Sequence, residues 1–144
     1  MTCCGVCGMP ELSDMFGINR AYVETYRKEK CPPPIACPLC IAAPNPNLGA
    51  RCEADRCAPF DVRRVPEYSA CMSDADCMLR PGVGCCACGV GTSDWIAVSH
   101  SGARALSSAV CDPVAPCPPC GPPPPPPELR AVCANNVCQR VGLR

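Results

Sequence analysis

Cysteine carries most of the chemistry available to this chain: there are 18 in 144 residues. They are Cys3, Cys4, Cys7, Cys31, Cys37, Cys40, Cys52 and Cys57, then Cys71, Cys77, Cys85, Cys86, Cys88, Cys111, Cys117, Cys120, Cys133 and Cys138. Structural disulfides, a metal centre and thiol redox chemistry could each use them. With one Trp, three Tyr and two Phe the chain cannot bury an ordinary core, and dense cysteine with few aromatics is the composition of small exported domains. All 18 are therefore expected in disulfides. Zinc is the alternative, because Cys4-Gly5-Val6-Cys7-Gly8 and Cys37-Pro38-Leu39-Cys40 have the spacing of two zinc-ribbon knuckles, making Cys4, Cys7, Cys37 and Cys40 the candidate ligands. The later cluster spoils that pattern: Cys86-Ala87-Cys88 changes the bite while the other spacings hold.

A reactive Cys-x-x-Cys needs its first sulfur at a helix N-terminus. Cys117-Pro118-Pro119-Cys120, with more prolines following, disfavours one, and Cys37-Pro38-Leu39-Cys40 is little better. His100 is the sole histidine, so no histidine-based triad is legible and a solvated role is expected for it. Asp74 and Asp76 are the closest carboxylate pair, and they read as turn caps beside Cys77. No catalytic residue and no cofactor is expected, and the chain reads as non-enzymatic.

Thirteen basic and thirteen acidic residues cancel, so no basic stripe for nucleic acid exists. Apolar runs such as Trp95-Ile96-Ala97-Val98 are far too short to cross a bilayer, and no transmembrane segment is expected.

Sliding the chain against itself reveals a duplication. Cys31, Cys37 and Cys40 map onto Cys111, Cys117 and Cys120 at an offset of 80, and Pro46-x-Leu48-x-Ala50-x-Cys52-x4-Cys57 maps onto Pro127-x-Leu129-x-Ala131-x-Cys133-x4-Cys138 at 81. Cys3-Cys4-x2-Cys7-Gly8 answers to Cys85-Cys86-x-Cys88-Gly89. The expected organisation is module 1 over 1–57, a linker over 58–70, and module 2 over 71–144. Module 2 opens with Cys71-x2-Asp74-x-Asp76-Cys77, which has no counterpart in module 1; the offset would place it roughly a dozen residues before Met1, so module 1 reads as N-terminally truncated. If that absent pair bonded to itself, module 1 could still close all its bridges. Otherwise two of its thiols lack partners. Eight cysteines allow 105 pairings, and spacing does not choose among them.

The elements that position the sulfurs follow. Asn19 caps a helix over about 19–30, with Ile18, Tyr22 and Tyr26 as an inward stripe; Ser99 caps a second, with Ala103, Leu106 and Val110. Both Cys-x4-Cys segments, the second centred on Asn135-Asn136, read as tight hairpins, and Asp76-Cys77-Met78-Leu79 as a third strand. The fold class expected is small, disulfide-rich α+β: two tandem modules, each one helix on a short antiparallel sheet with a C-terminal Cys-x4-Cys hairpin. Pro122 to Pro127 reads as a stiff polyproline spacer.

Cys71-x2-Asp74-x-Asp76-Cys77 followed by Cys85-Cys86, within residues 71–89, resembles the middle of a whey acidic protein four-disulfide core, a family that includes secreted protease inhibitors. The whole unit, with its Cys-x-x-Asp-x-Asp-Cys strand, Cys/Gly cluster, helix and closing Ala-x-Cys-x4-Cys hairpin, is similar to cysteine-rich modules of predicted bacterial envelope proteins and lipoproteins. The residues and these resemblances point to an extracytoplasmic, disulfide-stapled binding or structural module, secreted or in the cell envelope (periplasm or outer surface), and to a place as subunit of a larger cell-surface assembly. A protein partner, or self-assembly through the incomplete edge of module 1, is expected; Phe60 and Val62 could fill that edge internally instead. The competing function is a secreted protease inhibitor presenting Arg63-Arg64, and a zinc-binding cysteine-cluster protein is the third.

Overall fold

Two tight turns organise the strand pairs nearest the two ends of the chain. The computed structural model describes every residue except 1–3, 32, 34, 35, 38, 42, 87, 113, 115, 116, 122, 143 and 144. In it β1 (Leu48–Glu53) runs antiparallel to β2 (Arg56–Asp61), and β5 (Leu129–Ala134) to β6 (Val137–Gly142). The connecting pairs, Ala54-Asp55 and Asn135-Asn136, have φ between 45° and 63°. That is the type I′ geometry whose twist matches the strands it joins. Asparagine adopts it readily, whereas Ala54 does so against its steric preference, held there by the strands on either side.

β3 (Cys77–Pro81) pairs with β4 (Trp95–Ser99), from Cys77 opposite Ser99 to Pro81 opposite Trp95. The described residues thus form three separate two-stranded sheets. A strand does begin at Cys77, but it joins β4 and not the closing hairpin. The reason lies in the apolar run at 95–98: all five residues of β4 are buried, so this strand is covered on both faces.

Alternate residues of a strand face opposite ways, and β4 uses both sides. Ile96 and Val98 pack with Phe60, Val62, Tyr68 and Leu106 in the main apolar core, while Ala97 packs against Cys71 and Cys138. Among the described residues three α-helices accompany the strands: α1 (Val23–Lys30), α2 (Pro66–Ser69) and α3 (His100–Val110). Ser99 caps α3 as expected, its Oγ accepting from Gly102 N at 3.0 Å, and Leu106 is fully buried with Ala103 and Val110 against the core.

Two expectations need correction. Residues 58–70, read as a linker, supply half of the main core: Phe60, Val62 and Tyr68 are all buried. Their hydrophobic positions are spread over the end of β2, a 3-10 turn at Val62–Arg64 and the short α2, so no single period betrays them. The stripe on α1 is not inward, since none of its residues is buried and Tyr22 is 45% exposed. Tyr26 is half-buried and its ring stands 5.3 Å from that of Phe16, and the Tyr22 hydroxyl donates to Glu29 at 3.0 Å. The Asn19 cap does form, to Ala21 N.

Gly102 sits where α3 crosses the backbone of α2. A Cβ there would collide with the carbonyl of Tyr68 and lie 2.6 Å from its Cα. Alanine would gain about 1 kcal/mol in helix propensity, but overpacking against rigid backbone costs about 1–3 kcal/mol. Gly102→Ala is therefore expected to be destabilising, by up to about 2 kcal/mol, in thermal or urea unfolding; an increase in stability would mean that the two helices part at little cost.

Asp61, only 3% exposed, is held by Arg63 through its backbone N–H (3.0 Å), Nε (3.0 Å) and Nη2 (2.6 Å). Burial pushes this carboxyl up, but the Arg63 hydrogen bonds and charge, with Arg64 nearby, bring it below its ordinary value. The unfolded chain consequently takes up the proton first as pH falls. The stability contributed by this group is present above the ordinary carboxylate pKa, about 4, and drains away below it. Urea midpoints at pH 7 and pH 2.5 should differ less for Asp61→Asn than for the parent.

Candidate functional site

The sulfurs fall into two kinds of arrangement. The first is a cystine ladder, in which Cys85, Cys86 and Cys88 bond in order to Cys111, Cys117 and Cys120, with Cα separations of 5.0, 5.4 and 5.8 Å. Cys4 and Cys7 bond in the same order to Cys37 and Cys40, at 5.2 and 5.5 Å. Cys31 is also bridged, and Cys3 lies outside the described residues. The Cys4–Cys7 knuckle turns through Gly5 and Gly8, both at positive φ, and Gly8 exchanges backbone hydrogen bonds with the facing arm, N to Ile41 O and O from Ala43 N. The expected proline spacer begins at residue 122, outside the described residues; 123–126 lie in neither helix nor strand.

These pairings correct the zinc reading. Cys4, Cys7, Cys37 and Cys40 are consumed in two disulfides, and a cystine sulfur has no thiolate to give a metal. Two sulfur triads, Cys71 with Cys77 and Cys138, and Cys85 with Cys86 and Cys117, each fall within 4.8 Å, but every member is a half-cystine. Neither Cys-x-x-Cys closes on itself, since each of its members bonds to an upstream cysteine.

The second arrangement clamps a short segment, turned through a 3-10 helix at Asp74–Asp76, onto a hairpin. Cys71 and Cys77 bond to Cys133 and Cys138, which stand opposite one another on β5 and β6. Between them Asp74 Oδ1 accepts from Cys133 N at 2.7 Å, Cys71 N donates to Asn136 O at 3.1 Å, and Ala70 bridges Val137. Asp76 Oδ2 accepts from Met72 N and Ser73 N, both at 2.8 Å, and these bonds hold its carboxyl below the usual value. Both aspartates cap the segment that carries the two cysteines. His100 lies exposed at the start of α3.

Cys52 and Cys57 overturn the expectation that every cysteine is bridged. They stand opposite one another on β1 and β2, as Cys133 and Cys138 do on β5 and β6, yet both are free thiols. Among the described residues nothing corresponding to Cys71 and Cys77 meets them. The sequence held this signal in the Cys-x4-Cys segment whose upstream pair has no counterpart, one of the two outcomes left open there.

Arg63-Arg64 lies in the 3-10 turn, with the Arg63 carbonyl turned to Ser69 Oγ at 3.5 Å and its guanidinium on Asp61. Nearby, a cleft between β4 and β6 is floored by Ala97 and Cys138 and rimmed by Arg63 and Arg140. Both arginines are engaged, Arg140 donating to the Ser93 and Trp95 carbonyls at 2.9 Å. Compared with known protein families, curated proteins and solved structures, the chain matches none. Among the described residues no helix is long and apolar enough to cross a membrane. The disulfides are those of a protein from an oxidising compartment.

Proposed function

We propose that this chain is a non-enzymatic, disulfide-stapled module of the extracytoplasmic space, serving as a rigid binding or structural element of a cell-surface assembly. The observation that carries the reading is the set of seven disulfides among the described residues, beside a main apolar cluster of six buried side chains there. Covalent closure of loops of 26 to 62 residues supplies what a core of that size does not, about 3–4 kcal/mol for each independent loop. Such bridges persist only where glutathione and thioredoxin do not keep thiols reduced.

Two related units fit the same pattern. Each has a Cys/Gly cluster bonded in sequence order to a Pro-rich arm, then a Cys-x4-Cys hairpin of like register. The test is native alkylation followed by intact mass. Labels at Cys52 and Cys57 with the remaining described cysteines protected support the reading; labelling across the ladders would refute it and return the chain to a reducing compartment.

A further inference from the structure

Cys133 and Cys138 define what a free hairpin of this kind would accept. In a two-residue hairpin the pair flanking the turn exchanges hydrogen bonds, so the next pair points its N–H and C=O groups outward. Cys133 is in that second pair, and its outward N–H is the one Asp74 captures. Cys52 is in the second pair of β1–β2, with an outward N–H of the same kind.

The face is also open at Ala50 and Cys52, while Gly17 lies against Cys57. Side chains directly opposite one another in a sheet share a face, as do alternate residues of one strand, which places Ala50, Cys52 and Cys57 together, as it does Ala131, Cys133 and Cys138. The latter three pack against Cys71, Cys77 and Ala97. Ala50 and Cys52 are exposed, and Cys57 is half-buried. Gly17 closes on the Cys57 carbonyl and Cβ, so the β2 edge is occupied, while among the described residues no side chain takes the β1 edge at Cys52, the edge equivalent to that taken by Asp74.

We infer that the β1–β2 hairpin is a capture site for a segment of another polypeptide carrying the pattern Cys-x2-Asp-x-Asp-Cys, turned between its cysteines as Asp74–Asp76 is. The segment's first cysteine bonds to Cys52 and its second to Cys57, as Cys71 and Cys77 bond to Cys133 and Cys138. This rests on the proposed oxidising compartment and the kinship of the two hairpins. For each bridge, two thiols lose their hydrogens and form one S–S bond, while a disulfide oxidant such as glutathione disulfide takes up the two electrons and two protons and is released as two thiols. The Asp between the cysteines supplies the carboxylate for the Cys52 N–H. A second copy is a poor donor, because its own 71–77 segment is already bonded.

The test uses the full chain, an N-acetylated peptide of residues 70–80, and a glutathione redox buffer. Expected is a one-to-one adduct lighter than its parts by four hydrogens, mapped as first cysteine to Cys52 and second to Cys57. Replacing the peptide's first Asp by Ala should weaken capture about tenfold, the worth of one charge-assisted hydrogen bond. Cys57→Ser should leave a single bridge at Cys52. A Cys52–Cys57 bridge with the peptide left free, reversed pairing, glutathione on both thiols without peptide, or equal capture of a Gly/Ser peptide with the same cysteine spacing would each overturn the inference. The same digest reports the seven other bridges: their presence with no capture overturns the inference alone, and their absence strikes the underlying reading as well.

Discussion

Replacing Cys71, Cys77, Cys133 and Cys138 together by alanine should cost about 7 kcal/mol and release the β5–β6 hairpin from the rest of the fold. Either bridge alone closes a loop of 61 or 62 residues, and constraint of the unfolded chain over that length is worth about 4 kcal/mol. Once one is in place, the second closes a ring of only about a dozen residues, worth about 3 kcal/mol. Removal of a single bridge should therefore cost about 3 kcal/mol and leave a folded protein with a lower urea midpoint. Removing both approaches the whole stability of an ordinary domain, about 5–15 kcal/mol. The check is a set of urea titrations on both single-bridge variants and the quadruple variant; a quadruple variant no weaker than the singles would show that packing around Ala97, not covalent closure, holds the hairpin.

Tyr68→Ala should cost about 4 kcal/mol, the ordinary loss for truncating a buried aromatic side chain. Tyr68 is 2% exposed, its ring lies 5.5 Å from that of Phe60, and the Arg51 guanidinium stands 5.5 Å from the Tyr68 centroid and 5.6 Å from that of Phe60. The hydroxyl accepts from Arg51 Nη1 at 2.8 Å. Tyr68→Phe keeps the ring and loses that bond, so it should cost only about 1 kcal/mol. Thermal unfolding of the two variants separates the contributions: comparable losses would assign the site to its hydrogen bond, and a small loss for alanine would show that 58–70 is dispensable to the core.

Local signals in the sequence carried as far as local physics decides structure. Ser99 caps α3 because its hydroxyl reaches Gly102 N whatever the remainder of the chain does, and Leu106 is buried because its helix has one apolar side. Asn135-Asn136 suits positive φ, and the cysteines on either side of it fall opposite one another by counting. The features that escaped depend on distant partners. β4 has no alternation because both its faces are covered, so nothing within 95–99 indicates that β3 lies beside it. The stripe of α1 has helical spacing, but burial needs an opposing surface, and none of its residues is buried. Cysteine spacing located every cluster without fixing its pairing, and the state of Cys52 and Cys57 turned on whether a segment like 71–77 reaches them.

The close grouping of sulfurs at Cys85, Cys86 and Cys117, all within 4.8 Å, sets a kinetic rule for how the polypeptide matures. A thiolate on any one of these neighbours attacks the adjoining S–S bond with little chain movement, so exchange of partners between adjacent rungs is fast compared with exchange to a distant hairpin. Early errors within the ladder are thus corrected locally, as are those among Cys71, Cys77 and Cys138, whose sulfurs are equally close, whereas errors that join a ladder cysteine to the hairpin must await an external isomerase.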